Sequence, residues 1–261
     1  MTLLNLMMIL AALAIAGCAS QSATSGFKPE MSTTDAESDQ QIRARIHTEL
    51  ASGYYELGNI GVALEEINIA LRADPNYGPA HNVAALVYTQ LKDEWLAQQS
   101  FERALSINPH DSDANNNYGL FLCERKREEE AIKYFLAALR NPLYQNRERS
   151  YVNAGVCSRR RGDLSGAESY FQSALKLRPN QPQALYQMAD IEYLRGNFAE
   201  AKRYLGRFTQ VATANSEVLW LGVRVAKRMG DRDSEASYAL QLRKNFPNSN
   251  ETRALEAGRY E

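Results

Sequence analysis

Residues 78–111 read GPAHNVAALVYTQLKDEWLAQQSFERALSINPHD. Small or apolar side chains recur at Ala84, Ala85 and Tyr88. Past a turn near Lys92-Asp93 they return at Ala97, Phe101 and Ala104. Such spacing puts these groups on one face of a helix, so the stretch predicts two short helices facing each other. Small residues at the contact let the backbones approach closely, and Phe101 fills the space beside them. Pro109 ends the second helix, because it has no N–H to donate and its ring clashes with the preceding turn.

The same unit recurs. Stacked helix pairs are known to repeat with a period of about 34 residues. One period back, Pro109 maps to Pro75, Phe101 to Ile67, Ala104 to Ala70, Ala97 to Ala63 and Tyr88 to Tyr54. One period forward stand Ala131, Phe135 and Ala138, with Tyr118-Gly119 in the first helix and Pro142 one place early. Ala167, Phe171, Ala174 and Pro179 follow, with Gly155 in the first helix. Pro179 lies two periods and two further places beyond Pro109, so two residues are inserted near Asn146-Arg147. A fifth unit carries Ala189, Ala201, Leu205 and Phe208, and a degenerate sixth carries Gly222, Ala236, Leu240 and Pro247. The units occupy about 44–77, 78–111, 112–145, 148–181, 182–215 and 216–250, leaving 251–261 as a tail or capping helix.

This pattern resembles the tetratricopeptide repeat, whose signature is W-x2-L-G-x2-Y, then A-x3-F, then P. The chain departs from it at the first position, where His47, His81, Asn115 and Tyr151 stand in place of Trp. The resemblance implies an all-α solenoid of six helix-turn-helix units, wound into a right-handed superhelix with a concave groove. One helix pair cannot bury its own apolar face, so each unit is stabilised by its neighbours. Grooves of this kind mostly bind peptides or protein segments.

In the family, positions 2, 5, 9 and 12 of each first helix usually face the groove. By register these are Arg45, Thr48, Ser52 and Tyr55 in unit one, Asn82, Leu86 and Thr89 in unit two, and Asn116, Leu120 and Cys123 in unit three. Val152, Val156 and Arg159 follow in unit four, then Tyr186, Asp190 and Tyr193 in unit five. Amides can donate to and accept from a peptide backbone, and Leu86 and Leu120 would add apolar contact. Several of these side chains could instead pack against neighbouring helices. The Lys/Asn clamp used for chaperone-tail carboxylates is not evident, since Thr48 and Ser52 stand where Lys and Asn would be expected.

Residues 1–17, MTLLNLMMILAALAIAG, carry no charged side chain. The run is shorter than the roughly 20 residues a spanning helix needs and reads as a secretory signal peptide, though its basic n-region is missing. It ends in Ala14-Ile15-Ala16-Gly17-Cys18, which resembles a bacterial lipobox. That resemblance implies lipidation of Cys18, and Ala19 after it implies sorting to the periplasmic face of the outer membrane. An ordinary signal peptide with an incidental cysteine is the alternative. Several acyl chains, at about 0.8 kcal/mol per buried methylene, anchor firmly. Residues 18–39 are rich in Ser, Thr, Gln, Asp and Glu, which predicts a flexible tether.

Cys123 and Cys157 fall late in the first helices of units three and four. An oxidising periplasm makes a bridge between them plausible; two small buried thiols fit equally well.

Catalytic chemistry is not visible. Among 261 residues, 30 Lys and Arg face 31 Asp and Glu, and the pI is about 6.4. That balance argues against nucleic acid, which needs a basic patch. There is no Gly-rich phosphate loop. His47, His81 and His110 are scattered outside any metal-ligand spacing. Glu128, Glu129 and Glu130 read as a solvated helix start, where negative charge suits the dipole. The expectation is a non-enzymatic protein binder, with no cofactor, no metal and no small-molecule substrate.

A closer resemblance lies in NNNYGLFLCE (115–124), QMADIEYL (187–194) and LGVRVAKRMGDRDSEASYALQLRKNF within 219–246. These stretches, with the lipobox and tether, resemble the pilotin lipoproteins of type IV pilus biogenesis. The degenerate sixth unit carries most weight, because generic repeat consensus would not reproduce it. The resemblance implies an outer-membrane lipoprotein that binds the pilus secretin and promotes its localisation and multimerisation. The alternative is another periplasmic adaptor that scaffolds envelope assembly.

Overall fold

The computed structural model describes residues 38–260. Cys18, the signal peptide and all but the last two residues of the 18–39 tether lie outside them. Thirteen helices and no strand occur among the described residues. They pair as α1 (Asp39–Glu56) with α2 (Ile60–Ala73), α3 (Gly78–Gln90) with α4 (Glu94–Ile107), and α5 (Ser112–Glu124) with α6 (Glu128–Ala138). Next come α7 (Arg147–Arg160) with α8 (Leu164–Leu177), α9 (Pro182–Leu194) with α10 (Phe198–Val211), and α11 (Ser216–Met229) with α12 (Arg232–Asn245). A short α13 (Asn250–Glu256) packs on α11 and α12. The first helix begins at Asp39, ahead of the start near Ala44 read from the repeat.

Each pair turns at one residue with positive φ: Gly58, Lys92, Lys126, Gly162, Gly196 and Gly230. The intervals are 34, 34, 36, 34 and 34, which places the two-residue insertion between 126 and 162. Left-handed backbone favours glycine, and in units two and three lysines adopt it at φ 61° and 60°. The insertion falls in the 139–146 linker, where Tyr144 is buried and its hydroxyl donates to Asp113 Oδ1 at 2.9 Å. In three pairs the turn also caps the second helix. Asp93, Asp163 and Asp231 accept from the backbone N–H three residues on, as does Asp111 in the linker before α5, satisfying donors the helix leaves open.

The core is a row of similar trios, one on each of the first four second helices. Ala63, Ile67 and Ala70, then Ala97, Phe101 and Ala104, then Ala131, Phe135 and Ala138, then Ala167, Phe171 and Ala174 are all at most 1% exposed. The rings lean on small residues opposite. A Cβ added to Gly119 would meet Phe135 at 2.8 Å, and one added to Gly155 would meet Phe171 at 2.5 Å. The sixth unit corrects the sequence reading: Ala236 is exposed and Leu240 is 66% exposed, while Ala239 and Leu242 are buried. Ala239 stands one period after Leu205 and is too small for the gap. Tyr238 fills it instead, its ring against Gly222.

The residues at the missing Trp position have their own task. His81 Nε2 lies 3.0 Å from the Pro75 carbonyl, and Asn115 Nδ2 donates to the Pro109 carbonyl at 3.0 Å. Each ties a first helix to the proline turn before it. At the far end, Tyr260 stacks on Trp220 with ring centroids 5.6 Å apart.

Candidate functional site

The first helices α1, α3, α5, α7, α9 and α11 lie side by side, each touching the next. Their shared face is the candidate site. Much of it is wired across unit boundaries. Asn117 donates to Asn82 Oδ1 at 3.2 Å, and Ser150 and Asn153 both donate to Asn116 Oδ1, at 2.9 and 3.1 Å. Cys123 and Cys157 are joined in a disulfide, with Cα atoms 5.9 Å apart. Arg159 donates to Gln187 Oε1 at 2.5 Å and to Asp190. Tyr55 in unit one feels Glu124 in unit three: burial and then that charge push its hydroxyl pKa up.

This geometry changes the role of several residues picked by register. Asn82 and Asn116 are 7% and 2% exposed, and their carbonyl oxygens are occupied by neighbouring helices, so they fasten units rather than present amides to a partner. Thr48 is buried and donates to the Ala44 carbonyl at 2.7 Å, and Thr89 does the same to Ala85. Val152 is core at 1% exposure, Cys123 is in the bridge, and Leu86 packs half-buried against the unit-three core. Arg45 pairs with Glu49 at 3.1 Å on the same helix. What remains open is Leu120, 40% exposed, with the half-buried Ser52, Tyr55, Val156, Tyr186 and Tyr193, whereas Arg159 is taken by Gln187 and Asp190. Register gives the face, but not whether a group is already taken, by the adjacent helix for Asn82, Asn116, Cys123 and Arg159 and by its own helix for Arg45, Thr48 and Thr89.

Two features escaped the sequence reading. One is the outer side of α1, where Ile46, Leu50, Tyr54 and Leu57 line a cleft of about 390 Å³. Ile46, Leu50 and Leu57 are 45%, 44% and 74% exposed. Their helical spacing marks a second apolar face, legible had the helix been read for more than its groove positions. The other is in the sixth unit, where the same register puts Trp220 and Arg224 on the shared face. Arg224 lies over Tyr193, 4.8 Å from its ring centroid.

No group of three or more His, Cys, Asp or Glu among the described residues is placed to hold a metal. No helix among them is long and apolar enough to cross a membrane. His47 pairs with Glu66, Nδ1 to Oε2 at 2.5 Å, across the α1–α2 contact.

Models of the tetratricopeptide repeat match residues 78–111, 100–133 and 159–219. The chain is 35% identical over 257 residues to the type IV pilus assembly protein PilF of Pseudomonas aeruginosa, covering 98% of this chain and 99% of that one. A solved structure from the functional characterization of Pseudomonas aeruginosa pilF has a TM-score of 0.80 at 34% identity, over 85% of this chain and 100% of that one. The crystal structure of PilW, a widely conserved type IV pilus biogenesis factor, has a TM-score of 0.74 at 35% identity, over 81% and 97%. With its solenoid of paired helices and a relative matched from end to end, the chain belongs to the tetratricopeptide repeat family of type IV pilus biogenesis proteins that includes PilF and PilW.

Proposed function

We propose that the protein is a pilotin. Lipid on Cys18 holds it at the periplasmic face of the outer membrane, and the solenoid captures a segment of the type IV pilus secretin. Capture raises the local concentration of secretin subunits at that membrane, so that they meet and close into a ring. The protein's part is binding and placement, not catalysis.

The similarity to PilF along nearly the whole chain is the observation that carries the reading. The lipobox supports the anchor, since small residues before Cys18 suit the peptidase that cuts there. The open part of the shared face and the apolar side of α1 support capture of a polypeptide, because contiguous exposed apolar surface usually marks an interaction site.

Deleting the gene tests it. Surface pili are expected to vanish and the secretin to remain monomeric, with both restored by the wild-type gene. A Cys18→Ser copy is expected to take up no labelled palmitate and to leave the outer-membrane fraction. Normal secretin multimers in the deletion strain reject the reading.

A further inference from the structure

Asp190 is 6% exposed and faces two guanidinium groups across the α7–α9–α11 junction. Arg159 is committed: it hydrogen-bonds Asp190 Oδ2 and donates to Gln187. Arg224 is not. Its nearest terminal nitrogen is 3.6 Å from Asp190 Oδ1, too long for a hydrogen bond, and its Nε is buried with no partner. The Arg224 side chain is 17% exposed, and its guanidinium is held beside two rings, 4.8 Å from Tyr193 and 5.9 Å from Trp220. One buried carboxylate therefore answers two fixed cations, and the cation with unused donors is the one the aromatics hold in place. A guanidinium so placed suits a carboxylate better than an ammonium would, because its planar fork can bond both oxygens.

We infer that units five and six carry a subsite for the carboxylate of an Asp or Glu side chain in the captured polypeptide, with Arg224 as the recognising cation. The inference rests on the capture reading above and names the chemistry of the captured segment. Charge along α11 orients it. Lys227, one turn past Arg224, lies over the Tyr260 ring at 3.8 Å and reaches Glu235 at 3.5 Å. Glu217, two turns before Arg224, sits near Tyr186, whose hydroxyl pKa is pushed up to about 12 by burial and by the charges of Asp190 and Glu217. The Arg224 end is positive and the Glu217 end negative, so an acidic residue is drawn to the former. At the negative end a cleft of about 330 Å³ between Tyr186, Phe208, Glu217 and Val218 takes the stem of a neighbouring side chain. The amides that could hold a chain terminus, Asn82, Asn116 and Asn117, lie in units two and three and bond one another or the next helix. The carboxylate is therefore that of a side chain within the segment.

The test uses the full-length protein and an array of short random peptides, acetylated and amidated at their ends. Wild type is expected to enrich peptides containing Asp or Glu. Arg224→Gln is expected to lose that enrichment and to bind the best peptide about ten- to a hundredfold more weakly, the range for a charged hydrogen bond. Raising salt should weaken wild-type binding more than that of the variant. Asp190→Asn keeps the volume and removes the negative charge that both guanidiniums face, so its acidic enrichment is expected to exceed wild type. If Arg224→Gln melts early, the Asp190→Asn comparison decides. Absence of acidic enrichment, or unchanged affinity in a well-folded Arg224→Gln, overturns the inference. So does preference for free over amidated peptide ends, which would assign the carboxylate to a chain terminus. Purified secretin is assayed in parallel. Its failure to bind wild type rejects the pilotin reading, whereas binding that survives Arg224→Gln rejects only the subsite.

Discussion

Gly155→Ala isolates what holds one helix pair together. Gly155 lies in α7 against the ring of Phe171 in α8. An added methyl would stand 2.5, 2.8 and 2.8 Å from three ring atoms. Ordinary carbon contacts are about 3.5–4 Å, so the ring must retreat by roughly 1 Å. It has no room: Phe171 is 0% exposed and packed between Ala167, Val152 and Met188. Forced overpacking costs about 1–3 kcal/mol, and a fixed ring belongs at the upper end. Alanine returns about 1 kcal/mol over glycine inside a helix. The net is a loss of roughly 2 kcal/mol. Gly206→Ala is the internal control, because a Cβ there meets nothing within 4 Å. It collects only the helix term and is expected to stabilise by up to about 1 kcal/mol. Urea midpoints of the two variants against wild type give the answer, and Phe171→Leu added to Gly155→Ala should recover part of the loss. A Gly155→Ala protein as stable as Gly206→Ala would refute the packing argument.

The remaining predictions concern the bridge, the tyrosines and the groove. Replacing Cys123 and Cys157 by serine is expected to cost roughly 3–4 kcal/mol, the loop-closure value for a loop this long, read from urea midpoints; two reactive thiols from this pair in denatured, unreduced protein would show the bridge absent. Burial, then Glu102 or Asp113 respectively, pushes the hydroxyls of Tyr118 and Tyr144 well above the ordinary value, and Tyr186 rises to about 12. The folded state then holds protons the unfolded state releases near pH 10, so stability is full below about 10 and falls as pH rises towards 12. Denaturant midpoints that stay flat over that window, with tyrosinate absorbance tracked alongside, would contradict the burial. Leu120→Glu should leave the melting temperature unchanged and weaken secretin capture by roughly 1.5–3 kcal/mol, the worth of one buried leucine, as read by pull-down and titration. Unchanged affinity there moves the contact elsewhere, whereas Leu86→Glu would also disturb the core it packs on.

The repeat was legible because its physics is local. A helix pair needs small residues where backbones approach and a ring beside them, and Ala97, Phe101 and Ala104 announce that need at every period. The two-residue insertion was legible too, from the prolines alone. The groove was harder. Spacing placed Asn116 on the right face but could not show that Ser150 and Asn153 already occupy its oxygen. In unit six, Ala236 and Leu240 imitate the family's A-x3-F step. The buried pair is Ala239 and Leu242, because Tyr238 has taken the ring's place. Arg224 and Trp220 were overlooked for want of extending the register one unit further. Ile46, Leu50 and Leu57 stand outside the groove positions of their helix, and their spacing alone marks the second apolar face.

The disulfide joins units three and four beside the place where the repeat loses its rhythm. In a stack held by nearest neighbours alone, tension opens the least secure seam. A covalent staple takes this seam out of the competition, so the two middle coils move as one rigid block. Stretching is then absorbed by the coils on either side, and a tug on one end reaches the other without the spring parting at its centre.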